Sequence, residues 1–138
     1  MNETKLSEET AQDILEQFID YYEIDPADMS DDVGEAITTS LVKIRKAIQK
    51  GRIEINIDSE TITIKQHLKK PHPGIENPLI YKEIVGTAKT PIKPDVSHYI
   101  KIYTFLGALS GEGLSNIQKL RGADLSLAES LGTVFLQV

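Results

Sequence analysis

No cysteine occurs anywhere in the 138 residues. That excludes disulfides, thiol catalysis and cysteine-ligated metals together. No run of about eighteen apolar residues exists, which argues against a membrane-spanning helix. The first residues, Met1-Asn2-Glu3-Thr4, are polar and acidic, unlike a secretory leader. These absences fit a cytoplasmic, reducing location. Histidine is scarce as well: His67, His72 and His98 are the only three, and neither HxH nor HExxH spacing joins them. Such spacing is what places two imidazoles on one face, so structural or surface roles are expected and no metal is.

Basic residues are almost missing from the first quarter of the chain. Residues 1–35 hold twelve acidic side chains against Lys5 alone, while residues 36–138 hold nine acidic and fourteen basic. The net charge of −6 thus describes an acidic arm on a mildly basic body. A nucleic-acid partner requires lysines and arginines gathered on one face. The densest group, Lys43, Arg45, Lys46, Lys50 and Arg52, coincides with a helix end, where cations complement the dipole. Neither nucleic acid nor membrane is therefore expected as a partner. A chain of 138 residues normally makes one domain, and 40% hydrophobic with 26% charged residues is ordinary for a globular protein.

Ser7 offers a helix cap, with Glu8 and Glu9 in the first turn where negative charge is favoured. Ile14, Leu15, Phe18 and Tyr22 share one face at helical spacing, and Asp25-Pro26 is expected to end the helix. Ser30 with Asp31 and Asp32 signals a second start. Val33, Ile37, Leu41, Ile44 and Ile48 then form an apolar stripe, closed by Lys50 and Gly51. The two helices predict a hairpin. Beyond it the period changes to two. Ile53, Ile55 and Ile57 alternate with polar residues, Asp58-Ser59-Glu60 supplies a turn, and Ile62 and Ile64 resume the alternation. Residues 69–74 form a proline loop, 79–85 read as a third strand, and 87–94 as a further loop.

Pro94 and Asp95 open the C-terminal section with a helix over 96–109 that is apolar nearly all round. Ser110-Gly111-Glu112-Gly113 breaks it, and short helices over 115–120 and 126–136 follow. Ser126 with Glu129 has capping-box spacing. The expected fold is α+β: an N-terminal helical hairpin, a small antiparallel β-hairpin or three-stranded sheet, and a C-terminal three-helix segment. Residues 1–51 make the acidic helical segment and 52–138 the α+β domain, together forming one compact unit.

Polar motifs in the chain have structural explanations. Residues 28–34 superficially resemble a calcium loop, but the glycine falls one position late and Thr39 stands where a bidentate glutamate is needed. Ser110-Gly111-Glu112-Gly113 lacks the spacing and the Lys-Ser/Thr ending of a phosphate cradle. Lys69, Lys70 and His72 read as a solvated loop, and Tyr81, Tyr99 and Tyr103 as packing residues. Asp124 precedes the last helix, where it caps or complements the dipole. With neither paired carboxylates nor an activated nucleophile in view, an enzyme is not expected, and neither is a cofactor.

The apolar content of residues 94–138 exceeds what so short a segment buries alone, which points to protein binding. Phe105-Leu106-Gly107-Ala108-Leu109-Ser110-Gly111, followed by Leu114, Ile117, Leu120, Asp124, Leu131-Gly132 and Phe135-Leu136, resembles the C-terminal pattern of phage tail assembly chaperones. The resemblance covers about the last forty residues and consists of apolar spacing. It implies a non-enzymatic role: such chaperones coat the long, helical tape-measure protein and keep it soluble until tail-tube subunits polymerise around it. A helix-in-groove surface needs exposed apolar side chains at helical intervals. The expected partner-facing residues are Tyr99, Ile102, Tyr103 and Phe105, joined by Phe135 and Leu136. An exposed patch of that kind demands the tape-measure protein, another tail protein or self-association as a homo-oligomer. Size and acidity fit equally a structural tail or baseplate accessory subunit. A regulatory binding module is the third reading.

Overall fold

The computed structural model describes residues 6–138. Ser7 accepts from the Thr10 amide at 3.0 Å and so opens α1 (Glu8–Tyr22), whose buried face is Ala11, Leu15 and Phe18. The helix ends before Asp25-Pro26, not at it. Glu23 takes a left-handed conformation at φ 54°, and the Ile24 amide donates back to the Ile19 carbonyl at 3.0 Å. Pro26 starts a 3₁₀ turn instead, Pro26–Asp28, with Asp25 accepting from the Ala27 amide. Ser30 then caps α2 (Asp31–Gln49) through the Val33 amide. Gly34 lets α2 lie on that turn, because a Cβ there would stand 2.6 Å from the Pro26 carbonyl oxygen. Ile37, Leu41, Ile44 and Ile48 are buried as their spacing predicts, and Gly51 ends the segment at φ 77°.

A three-stranded antiparallel sheet follows, β1 (Ile53–Ile57), β2 (Ile62–Gln66) and β3 (Leu79–Tyr81), in the order β1-β2-β3. Its inner face buries Ile53, Ile62, Ile64, Leu79 and Tyr81. The third strand is three residues long, shorter than the apolar run 79–85 suggests. After Tyr81 the chain leaves the ladder, and the Lys82 amide donates to the Leu109 carbonyl at 3.1 Å. Part of the segment expected as loop forms a single helical turn, α3 (Gly86–Lys89).

The long apolar helix α4 (His98–Ser110) starts later than Pro94-Asp95, because Ser97 supplies the cap by accepting from the Ile100 amide at 3.2 Å. Gly111 at φ 76° and Gly113 at φ 86° reverse the chain into α5 (Leu114–Ile117). The reversal is tight: a Cβ on Gly107 would lie 2.5 Å from the Gly113 carbonyl carbon. The last helix, α6 (Ala123–Phe135), begins ahead of Ser126. The Ser126 amide already donates to the Gly122 carbonyl, so Ser126 is helical and no capping box forms with Glu129.

One apolar cluster runs from Ala11 to Phe135 and includes residues of α1 and α2. Phe135 links three elements within it, with ring centroids 6.3 Å from Phe18 and 6.0 Å from Tyr81. Helix α6 packs against both α2 and α4. That position explains why α4 and α6 are apolar on most sides. Each is covered by several neighbours, which a lone amphipathic helix is not.

Candidate functional site

The six expected partner-facing residues separate into two groups. Ile102, Phe105 and Phe135 are 1%, 0% and 1% exposed, so they belong to the core and do not face a partner. The correction has a simple cause: apolar side chains all round α4 are explained by the elements packed around it, β3, α3, α5 and α6. Tyr103 and Leu136 are half-buried. Tyr99 is 58% exposed, the highest value among the large hydrophobic residues described as exposed.

Tyr99 stands on the rim of a groove of about 550 Å³ between α2, α4 and α6. Ile102 contributes to the floor, seated where Gly132 would bring a Cβ within 2.5 Å of the Ile102 Cγ2. Glu35, Thr39 and Lys43 line the α2 side, and Ser126, Glu129 and Thr133 the α6 side. The Tyr99 ring stacks on Tyr103 at 6.3 Å and 29°, and His98 meets Tyr99 edge-on. Tyr103 donates to Glu129 Oε2 at 2.6 Å. That bond, helped by burial and the carboxylate charge, pushes the Tyr103 hydroxyl up to about 12.

Lys43 donates to Ser126 Oγ at 2.6 Å in the same groove. A serine nucleophile activated by lysine needs the lysine desolvated. Lys43 is exposed. The pair therefore acts as polar lining. The α2 rim carries Asp32 and Glu35, following Asp25, Asp28 and Asp31 in sequence. The groove thus combines an aromatic rim, an acidic end and hydroxyl-rich walls.

The remaining motifs fall elsewhere. Asp124 is 3% exposed, but it is not a side-chain cap: Gly122 holds the N-cap position of α6. Its carboxylate accepts from the Lys69 and Lys70 amides at 2.8 and 2.7 Å, clasping the loop after β2 to α6. The expected calcium-like stretch is a turn and a helix cap. His67 pairs with Glu54, and His72 Nδ1 accepts from the Gly74 amide. Among the described residues no group of three potential metal ligands occurs. None of their helices is long and apolar enough to cross a membrane. A small-residue groove of about 560 Å³, touching Ile100, Thr104, Ala108 and Leu114, lies elsewhere on α4. Comparison with family models, curated proteins and solved structures gives no match.

Proposed function

We propose that this chain is a non-enzymatic phage tail assembly chaperone, working in the host-cell cytoplasm and holding a helical segment of the tape-measure protein. The observation that carries the reading is Tyr99, exposed and stacked on Tyr103 at the rim of a groove bounded by three helices. A groove between helices can receive a further helix, with the rigid Tyr99 ring at the rim as apolar anchor and the acidic and hydroxyl-bearing walls meeting the polar flank of that helix. The apolar spacing of residues 105–136 supports the same role by its resemblance to that family.

Co-expression with the tape-measure protein tests the proposal. The expected result is a higher soluble yield of the long protein and co-purification of the two. Tyr99→Ser should weaken that capture while the circular dichroism spectrum and melting curve stay unchanged. Failure of the unaltered chain both to solubilise and to co-purify overturns the reading. Retention of the chain in purified mature particles would instead make it a structural tail or baseplate subunit.

A further inference from the structure

The parity of the β1–β2 ladder decides which β1 amides face outward. The His67 amide donates to the Arg52 carbonyl at 2.8 Å, and the Asp58 amide to the Thr61 carbonyl at 3.0 Å. Ile53 lies opposite Gln66 and Ile57 opposite Ile62. The residues exchanging bonds with β2 are therefore Arg52, Glu54, Asn56 and Asp58. Ile53, Ile55 and Ile57 direct their N–H and C=O groups the other way, to an edge that no described strand covers. A groove of about 710 Å³ adjoins this edge, with Leu6, Ile14 and Ile48 among its apolar lining. Ile55 and Ile57 remain half-buried on the inner face. An edge that no described strand covers is a template for another strand.

The edge is also self-complementary. Lys50 stands just before β1, whereas Asp58 and Glu60 stand in the hairpin turn just after it. We infer that two copies of this chain pair antiparallel through β1, about a two-fold axis at Ile55, to form one continuous six-stranded sheet. In that register Ile55 faces Ile55 of the second copy, and Ile53 faces Ile57. All three are outward-bonding positions, so every edge N–H and C=O finds a partner. Their side chains share the inner face, and the half-buried Ile55 and Ile57 become covered by aliphatic cross-strand pairs. Lys50, which caps α2 beside the start of β1, lies at the end of the paired strands where the acidic hairpin turn of the other copy, Asp58 to Glu60, arrives. A two-fold contact requires such a patch, in which residue i meets residue j and j meets i. The pairing is independent of the Tyr99 groove, which lies between α2, α4 and α6.

Sedimentation of the full chain across concentration tests the pairing. A dimer is expected, with Ile53, Ile55 and Ile57 amides protected from hydrogen exchange only where dimer is populated. Ile55→Pro removes the central donor without breaking a bond to β2, an edge position at which proline is tolerated. It should give a monomer with β1–β2 protection intact at Glu54 and Asn56. Lys50→Glu and Glu60→Lys should each weaken dimerisation by about tenfold, since two symmetric ion pairs are reversed at once. The double variant should recover most of the loss, a result that misfolding cannot mimic. A chain monomeric at millimolar concentration overturns the inference. So does a dimer indifferent to Ile55→Pro, or an Ile55 amide already protected in the monomer or protected only by a different protein.

Discussion

Gln66 donates its side-chain amide to the main-chain oxygen of Asp124 at 2.9 Å, and both residues are buried. Tyr81 completes the arrangement by donating to Gln66 Oε1 at 2.8 Å. The central strand, the third strand and the start of α6 are thereby joined through polar groups inside an apolar core. Such groups are tolerated only because each finds a partner.

Asp124→Ala is the sharper test of this region. It leaves the Lys69 and Lys70 amides without their charged acceptor. A hydrogen bond to a charged group contributes about 1.5–3 kcal/mol, and water reaches the exposed Lys69–Lys70 loop, so a loss of about 3 kcal/mol is expected. Urea unfolding measures it. A change below about 0.5 kcal/mol, the scale of an ordinary surface substitution, would show that the clasp contributes little.

Alkaline titration separates the tyrosines. The Tyr103 and Tyr21 hydroxyls are both raised to about 12, first by their hydrogen bonds to Glu129 and Glu83 respectively. Burial pushes Tyr81 up as well. In each case the folded state favours the protonated phenol over the unfolded state. The Tyr103 contribution is therefore complete below about pH 10 and lost as pH rises from about 10 to 12. Absorbance at the phenolate band should show a late step shared by Tyr103 and Tyr21, and Tyr103→Phe should lower the amplitude of that step by one phenol. Loss of that amplitude near the ordinary tyrosine range, about pH 10, would remove Glu129 from the account.

The elements legible in the sequence are those set by local chemistry. Ser7, Ser30 and Gly51 mark helix ends through their own side chains or backbone freedom, and the structure places them at those ends. The alternation of Ile53, Ile55 and Ile57 fixed the strand pair. What local pattern does not encode is the partner across space. Pro26 looks like a terminator, yet Glu23 ends the helix three residues earlier because its left-handed turn satisfies the last carbonyls. Ser126 and Glu129 have capping-box spacing, yet Lys43 and Tyr103 take their side chains. The same limit governed the candidate site. Apolar spacing identified α4 as a packing helix, but only the positions of its neighbours divide Tyr99 from Ile102 and Phe105.

Three glycines offer a graded packing test. Gly107→Ala places a methyl 2.5 Å from the backbone of Gly113, where neither side yields easily. Overpacking of that kind costs about 1–3 kcal/mol. Gly111→Ala meets open space but must hold φ 76°, a strain on the order of 1 kcal/mol. Gly86→Ala meets nothing within 4 Å and carries no positive φ, so it should be neutral or slightly stabilising through the unfolded chain. Chemical unfolding should rank the three in that order. Equal effects at Gly107 and Gly86 would show that the α4 reversal has slack.

The division of the apolar residues is the prediction on which the groove depends. Phe135 touches Phe18 and Tyr81 and is 1% exposed, so Phe135→Ala should cost about 3–5 kcal/mol by leaving a cavity among three elements. Tyr99 is 58% exposed, its ring meeting His98 and Tyr103 at the rim, and Tyr99→Ala should stay within about 0.5 kcal/mol of the parent. Capture of the tape-measure protein should respond in the reverse sense, falling with Tyr99→Ala at unchanged stability. Phe135→Leu, which keeps most of the volume, should retain capture wherever it retains the fold. If Tyr99→Ala unfolds the chain, Tyr99 is a core residue after all; if it leaves both stability and capture intact, the groove is not the docking surface.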